Sequence, residues 1–78
     1  MKPVLVLTNL ADRDSALRLA RALVEQRLAA CVNVLAECTS VYRWKEAIET
    51  AHETPVLIKT TEDRYQALEQ AVRALHPY

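Results

Sequence analysis

Residues 4–35, VLVLTNLADRDSALRLARALVEQRLAACVNVL, contain the pattern that determines the fold. The apolar run VLVL at 4–7 predicts a strand that is covered on both faces. The stretch that follows predicts an amphipathic helix over 12–29, capped by Asp12 or Asp14. Its apolar residues recur at helical spacing and comprise Ala16, Leu19, Ala20, Leu23, Val24 and Leu28. Because β-propensity resumes directly after the helix, the quoted stretch predicts strand, helix and strand without a linker.

The rest of the chain completes one small domain. Residues 31–44 predict a second strand with a bend near 36–38, and a turn around 45–48 leads back to a third strand at 55–59. A second helix then begins at Thr60 or Thr61 and stops at Pro77. Its apolar stripe comprises Tyr65, Leu68, Val72 and Leu75. The order βαββα over 1–78 predicts an α+β, ferredoxin-like sandwich with an antiparallel sheet that lacks its last strand.

Two consequences follow from this topology. Two helices cover only one face of a sheet, so the other apolar face is expected to meet a second copy of the chain. In a ferredoxin-like sheet the last strand lies beside the first. Without it, strand 4–7 is expected to be an open edge that a partner strand or further chain must fill.

Composition excludes several classes of function. The 78 residues carry 10 Lys+Arg and 10 Asp+Glu, a formal net charge of zero, which argues against a dedicated nucleic-acid binder. Gly is absent, which removes the phosphate loops and the nucleophile elbow that depend on it. No apolar run is long enough to span a membrane, and the two cysteines are too few for a disulfide scaffold. The expected compartment is the cytoplasm.

Four separated motifs are similar to one known family. They are LAACVN at 28–33, TSVYRW at 39–44, LIKT at 57–60 and HPY at 76–78. In this order and spacing they resemble the CutA divalent-cation-tolerance family. The resemblance implies a homotrimer of ferredoxin-like subunits in which a long hairpin reaches a neighbour. It also implies that family chains continue past the HPY motif, so that this chain is truncated at its C-terminus.

The resemblance further implies tolerance of divalent metals and binding of Cu(II) or another divalent cation, without a catalytic reaction. Proposals for the family's copper site use a Cys near the end of the first strand, the His of HPY and an acidic residue beyond it. The first position is Thr8 here, and the second is His76. The third lies past Tyr78, so one of the three proposed ligands is present.

Other residues keep two interpretations. His76 either compensates the carbonyl end of the second helix or ligates a metal. Cys31 is expected to be a small buried apolar residue, and on a regular strand Cys38 would face the opposite side. His52 with Glu53 is either a surface metal pair or part of a solvated loop. The arginines around the first helix, Arg13, Arg18, Arg21 and Arg27, indicate a solvated face rather than a phosphate site.

Several polar and aromatic residues are candidates for a cleft between subunits. Lys59 follows three apolar residues, so its stem is expected to be buried while its amine pairs with a carboxylate. Tyr42 and Trp44 share a strand face, where they either pack at an interface or form a pocket wall. The full set of pocket or interface candidates is Asn33, Tyr42, Trp44, Glu53, Lys59 and Tyr78, with His76 as the candidate metal ligand.

Three classes of function therefore compete. The first is a non-catalytic, metal-responsive trimer. The second is a structural or regulatory trimer that binds a small ligand or a protein partner at its subunit interface. The third is an acylphosphatase-like hydrolase on the same fold, which the lack of a Gly-rich phosphate loop disfavours.

Overall fold

A computed structural model describes residues 2–75. The helices and strands are β1 Pro3–Leu10, α1 Arg13–Glu25, β2 Cys31–Val34, β3 Cys38–Trp44, β4 Ala47–Thr61 and α2 Glu62–Leu75. The predicted order of strands and helices is confirmed, with two differences. The predicted second strand is divided into β2 and β3, and the predicted third strand begins at Ala47 instead of 55. The hydrophobic run at 55–59 is therefore only the buried half of a much longer strand.

The strand β4 is the centre of an antiparallel sheet of order β1-β4-β2. β1 pairs along one side of β4, from Pro3 opposite Thr61 to Leu10 opposite Thr54. The predicted open edge at the first strand is confirmed, because β1 has β4 as its single partner strand within residues 2–75. The N-terminal half of β4 pairs with β3 and extends beyond the helices as an arm, which we define as residues 38–53.

The core lies between the helices and one face of the sheet, which we call the inner face. Val56 and Ile58 of β4 are fully buried there against Leu23 of α1 and Leu68 of α2. Of the α2 stripe, Leu68 is buried, whereas Tyr65 and Leu75 are exposed. The Tyr65 hydroxyl donates a hydrogen bond to Glu69 Oε2 at 3.2 Å. The layer of helices therefore covers the inner face alone.

The opposite face of the sheet, which we call the outer face, has no helix over it in residues 2–75. Leu5 and Leu7 of β1 point to this face and are 67% and 66% exposed. One face of strand 4–7 is therefore uncovered within residues 2–75, and its coverage by a second copy of the chain stays a prediction. Side chains alternate along a strand, so Val4 and Val6 face the helices while the two leucines face away.

The first helix starts where predicted and ends earlier. Asp12 is its N-cap, since the Ser15 backbone N–H donates to Asp12 Oδ1 at 2.7 Å. The helix ends at Glu25 because Arg27 adopts a left-handed conformation with φ 59°. The N–H groups of Arg27 and Leu28 donate to the carbonyls of Val24 and Leu23, which completes a Schellman motif with Arg in the usual Gly position. Leu28 thus reaches the core from outside the helix.

A bulge separates β2 from β3. Cys31 lies opposite Lys59 and Cys38 lies opposite Glu53, so seven steps along β2 and β3 span six steps along β4. One extra residue between 35 and 37 reverses the side-chain alternation, which agrees with the predicted bend. Odd residues of β2 and even residues of β3 consequently share the outer face.

A two-residue turn closes the arm. Trp44 pairs with Ala47, and Lys45 and Glu46 both have positive φ, at 48° and 69°. Positive φ at both central residues is the type I′ geometry that matches the twist of a hairpin. Here the turn forms without the Asn-Gly pair that usually occupies it. The Lys45 ammonium lies 5.9 Å from the centroid of the Trp44 ring.

Candidate functional site

The described pocket candidates all point to the outer face. Asn33 is half-buried on β2 opposite Leu57, and Lys59 is exposed on β4. Glu53 is half-buried on β4, whereas Tyr42 and Trp44 on β3 are exposed. The bulge carries the two aromatic residues to this face, because without it their alternation would direct them to the inner face. The structure therefore places five candidates on one surface.

These candidates do not form one pocket within a single chain. Glu53 and Lys59 are six residues apart on β4, which corresponds to about 20 Å along an extended strand. The expectation that the Lys59 stem is buried is wrong for the single chain, since Lys59 is exposed. The cleft was predicted between subunits, so it stays a prediction.

One shallow cavity does join two of the candidates. It has a volume of about 410 Å³, and its lining includes Tyr42 of β3 with Ala51, His52 and Glu53 of β4. Ala11, which follows β1, closes its other side. The cavity thus lies where the arm leaves the sandwich, so Tyr42 and Glu53 can contact the same small group.

The cysteines differ from their predicted arrangement. Cys31 is exposed, not buried, because its side chain points to the uncovered outer face. Cys38 points to the same side as Cys31 and not to the opposite side, because of the bulge. Their partners on β4, Lys59 and Glu53, are about 20 Å apart, so the two thiols cannot bind one ion within a chain. Both cysteines are free.

His52 does not combine with Glu53 as a metal pair. The two residues are adjacent on β4, so their side chains point to opposite faces. The His52 Nδ1 atom instead lies 3.4 Å from Thr39 Oγ1 and 3.9 Å from Glu37 Oε1, in an exposed position. This arrangement is a surface contact between the two strands of the arm.

The described residues do not include the candidate metal ligand. His76 and Tyr78 lie outside the described residues. Within residues 2–75 no group of three or more His, Cys, Asp or Glu side chains is positioned to hold a metal ion. Within the same range, no helix is both long and apolar enough to cross a membrane.

Arg27 is the residue that the sequence interpretation misplaced most. It was expected on a solvated helix face, but it lies in the left-handed turn after α1. There Arg64 Nη1 donates a hydrogen bond to the backbone carbonyl of Arg27, which brings α2 against the end of α1. No local signal identifies this turn, because the residue that marks such turns is Gly and the chain has none.

Comparisons with known proteins agree with this architecture. The family model of the CutA1 divalent ion tolerance protein matches residues 4–78. The divalent-cation tolerance protein CutA of Thermus thermophilus is 44% identical over 73 residues, which are 94% of this chain and 71% of that relative. Human protein CutA is 50% identical over 60 residues, which are 77% of this chain and 34% of the human protein. The chain therefore spans about a third of its human relative.

A solved structure supports the fold directly. The crystal structure of the stable protein CutA1 from the psychrotrophic bacterium Shewanella sp. SIB1 superimposes with a TM-score of 0.95 at 43% identity. The likeness covers 99% of this chain and 72% of that one. The βαββα arrangement is thus the ferredoxin-like fold of these relatives.

Proposed function

The chain belongs to the CutA1 divalent ion tolerance family, and from that premise we propose that it acts as a non-catalytic homotrimer that binds copper(II) or another divalent cation. Divalent-cation tolerance is the function that the family as a whole carries. The assembly, the metal and the absence of a reaction are the proposed parts.

The exposed leucines of the outer face carry the proposal of an assembly. Leu5 and Leu7 lie on an open edge strand, two-thirds exposed, and Leu57 of β4 pairs with Leu7 beside them. A contiguous apolar strip on an open sheet edge invites pairing with another chain. Homo-oligomers with closed symmetry are the usual outcome of such a surface.

The arm supports the same proposal. Val41, Trp44 and Ile48 are exposed at 67%, 58% and 62%, because neither helix lies over this part of the sheet. A two-stranded ribbon without a packed face is only marginally stable in water. We infer that the arm lies on another copy of the chain, where these side chains become buried.

The proposed metal site uses ligands from outside the described part of one chain. Residues 2–75 of one chain hold no group of three or more His, Cys, Asp or Glu side chains placed to bind a metal, and the ligands proposed here are His76 and groups from neighbouring copies. A neutral imidazole suits Cu(II) well among the biological divalent metals. We propose His76 as the ligand that each chain contributes, with ligands from adjacent copies completing the coordination.

Native mass spectrometry with and without stoichiometric Cu(II) tests both parts at once. We expect a trimer that takes up copper, and loss of the uptake in His76→Ala. His52→Ala is the matched control, because His52 is an exposed histidine that belongs to no group of three or more potential metal ligands within residues 2–75. Equal uptake by His76→Ala and the wild-type protein would contradict the role of His76. A monomer would contradict the assembly.

The absence of catalysis has its own test. Hydrolysis of an acyl phosphate, followed by phosphate release, is the reaction that the competing enzyme hypothesis requires. We expect no release above that of buffer. Turnover that saturates with substrate would favour the enzyme hypothesis instead.

We further propose that the protein works in the cytoplasm. Two free cysteines, one of them exposed, fit a reducing compartment in which disulfides are rare. Fractionation of cells that express the native gene should place the protein with cytoplasmic markers, whereas recovery with periplasmic or extracellular markers would contradict this location.

A further inference from the structure

A second cavity lies between the end of α1 and the start of α2, away from the outer face. Its volume is about 390 Å³, and two arginines, Arg27 and Arg64, stand at its wall with Thr60 and Thr61. The remaining lining consists of small apolar side chains such as Val24 and Ala29. A cavity of this size that combines an apolar wall with convergent polar groups can hold a small molecule.

The charge of this cavity is positive. Its lining carries two guanidinium groups and no carboxylate. The acidic residues in the first turn of α2 do not line it. Glu62 Oε2 lies 4.0 Å from Lys2 Nζ. The Thr61 hydroxyl is the main cause that lowers the Asp63 pKa, and the Arg64 guanidinium lowers it further, so Asp63 offsets part of the Arg64 charge. A dianion in the cavity would still meet two guanidinium groups and no carboxylate at the lining itself.

The turn after α1 holds the Arg64 side chain in place. Because Arg27 is in the left-handed region, its carbonyl is free to accept a hydrogen bond from Arg64 Nη1. Thr60 Oγ1 donates to the carbonyl of Leu28 at 2.7 Å and holds the same turn against β4. A guanidinium has five N–H donors, so Arg64 retains donors for a ligand after this contact. The hydrogen bond thus orients Arg64 and also neutralises the carbonyl end of α1.

We propose that this cavity binds a phosphate-bearing small molecule. Paired guanidinium forks match the oxygens and the double negative charge of a phosphoryl group better than a single carboxylate would. The start of α2, a helix of 14 residues, adds the favourable N-terminal end of its dipole. The apolar wall at Val24 and Ala29 provides space for the organic part of a phosphate monoester.

Titration of the ¹⁵N-labelled chain with glycerol 3-phosphate at pH 7.5 tests the proposal. We expect saturable shifts of the backbone amides of residues 27–30 and 60–64. Arg27→Gln should weaken binding about tenfold or more, since a charge-assisted hydrogen bond is lost. This variant keeps the backbone carbonyl that Arg64 contacts, so it preserves the turn. Arg64→Gln should weaken binding at least as much, and Arg21→Gln, an exposed arginine of α1 outside this cavity, should have no effect.

Two further probes separate the sources of the phosphoryl group. Inorganic phosphate that binds as tightly as glycerol 3-phosphate would assign the site to free phosphate, whereas tighter binding of the monoester would show that the apolar wall takes part. Glycerol should give no shifts. Shifts that do not saturate, or that remain unchanged in both Arg27→Gln and Arg64→Gln, would overturn the proposal. Because these readouts contain no metal, they are independent of the proposed copper site.

Discussion

The inner and outer faces of the sheet are built from the same strands but differ completely in what covers them. Along β4, Ile58 is fully buried against the helices, whereas its neighbour Lys59 is exposed on the other side. Along β1, Val6 is half-buried and Leu7 is 66% exposed. The sequence is apolar enough for two covered faces, and the described chain covers one. The inner face therefore determines the fold, and the outer face is the surface on which the proposed assembly depends.

Truncation of the inner face should have the largest effect on the fold of each chain. Ile58→Ala removes a fully buried side chain and leaves a cavity, which should lower the free energy of unfolding by about 2–5 kcal/mol. Urea unfolding followed by far-UV circular dichroism measures this change. A loss of stability below ~1 kcal/mol would mean that the inner face is not the core.

Charges on the outer face should act on the assembly instead. In the double variant Leu5→Glu/Leu7→Glu we expect a folded monomer, because two carboxylates cannot be buried without partners at an interface. Sedimentation velocity gives the oligomeric state, and circular dichroism reports the fold. Leu17→Glu is the matched control, since Leu17 is an exposed leucine on α1 and should leave the assembly intact. An unchanged oligomer in the double variant would contradict the proposal that the outer face forms the contacts between copies.

Much of this contrast could be predicted from the sequence, and the reasons are physical. Helical periodicity fixed the position of α1, and β-branched runs located β1 and the buried half of β4. The uncovered face could be predicted because the sequence contains two helices, which cover only one of the two apolar faces of the sheet. The exposure of Cys31 could not be foreseen, because a short apolar strand looks the same whether its second face is covered by its own chain or by another.

The sequence also did not predict two local backbone features, which are the left-handed turn at Arg27 and the bulge between β2 and β3. The turn at Arg27 ended α1 four residues before the predicted limit, although Arg is a good helix former. The bulge between β2 and β3 was suggested by the sequence only as a bend. Its effect on which face Tyr42 and Trp44 occupy required the register with β4. The positions of the site residues therefore depend on one extra residue that composition does not reveal.

The left-handed turn at Arg27, which connects α1 to β2, allows a test with a smaller expected effect. Arg27→Gly should stabilise the protein by about 0.5–1 kcal/mol, because the left-handed conformation is unfavourable for residues with a Cβ atom. Arg27→Ala should give no such gain, since Ala retains the Cβ atom. Thermal or urea unfolding of the three proteins measures the differences. Equal stability of the Gly and Ala variants would contradict the left-handed turn.

The start of α1 should give the smallest effect, and one that depends on pH. The backbone N–H of Ser15 is the main cause that lowers the Asp12 pKa below 3.8, so the ionised form is favoured in the folded state. The stability that the ionised Asp12 contributes is fully present above the pKa that Asp12 has in the unfolded chain. This stability is lost as the pH falls through the lower pKa that Asp12 has in the folded protein. Asp12→Ala should therefore be less stable than the wild type at pH 6, with a difference that narrows below pH 3.8. A difference that stays constant over this range would show that the cap does not act through its charge.

The measurement that most directly tests the role of the outer face is the native mass of the unmodified chain at micromolar concentration, compared with that of Leu5→Glu/Leu7→Glu. We predict a species of three times the 8.8 kDa chain mass for the wild type and a single folded chain for the variant. A folded wild-type monomer would contradict the assignment of the outer face as the surface that other copies cover.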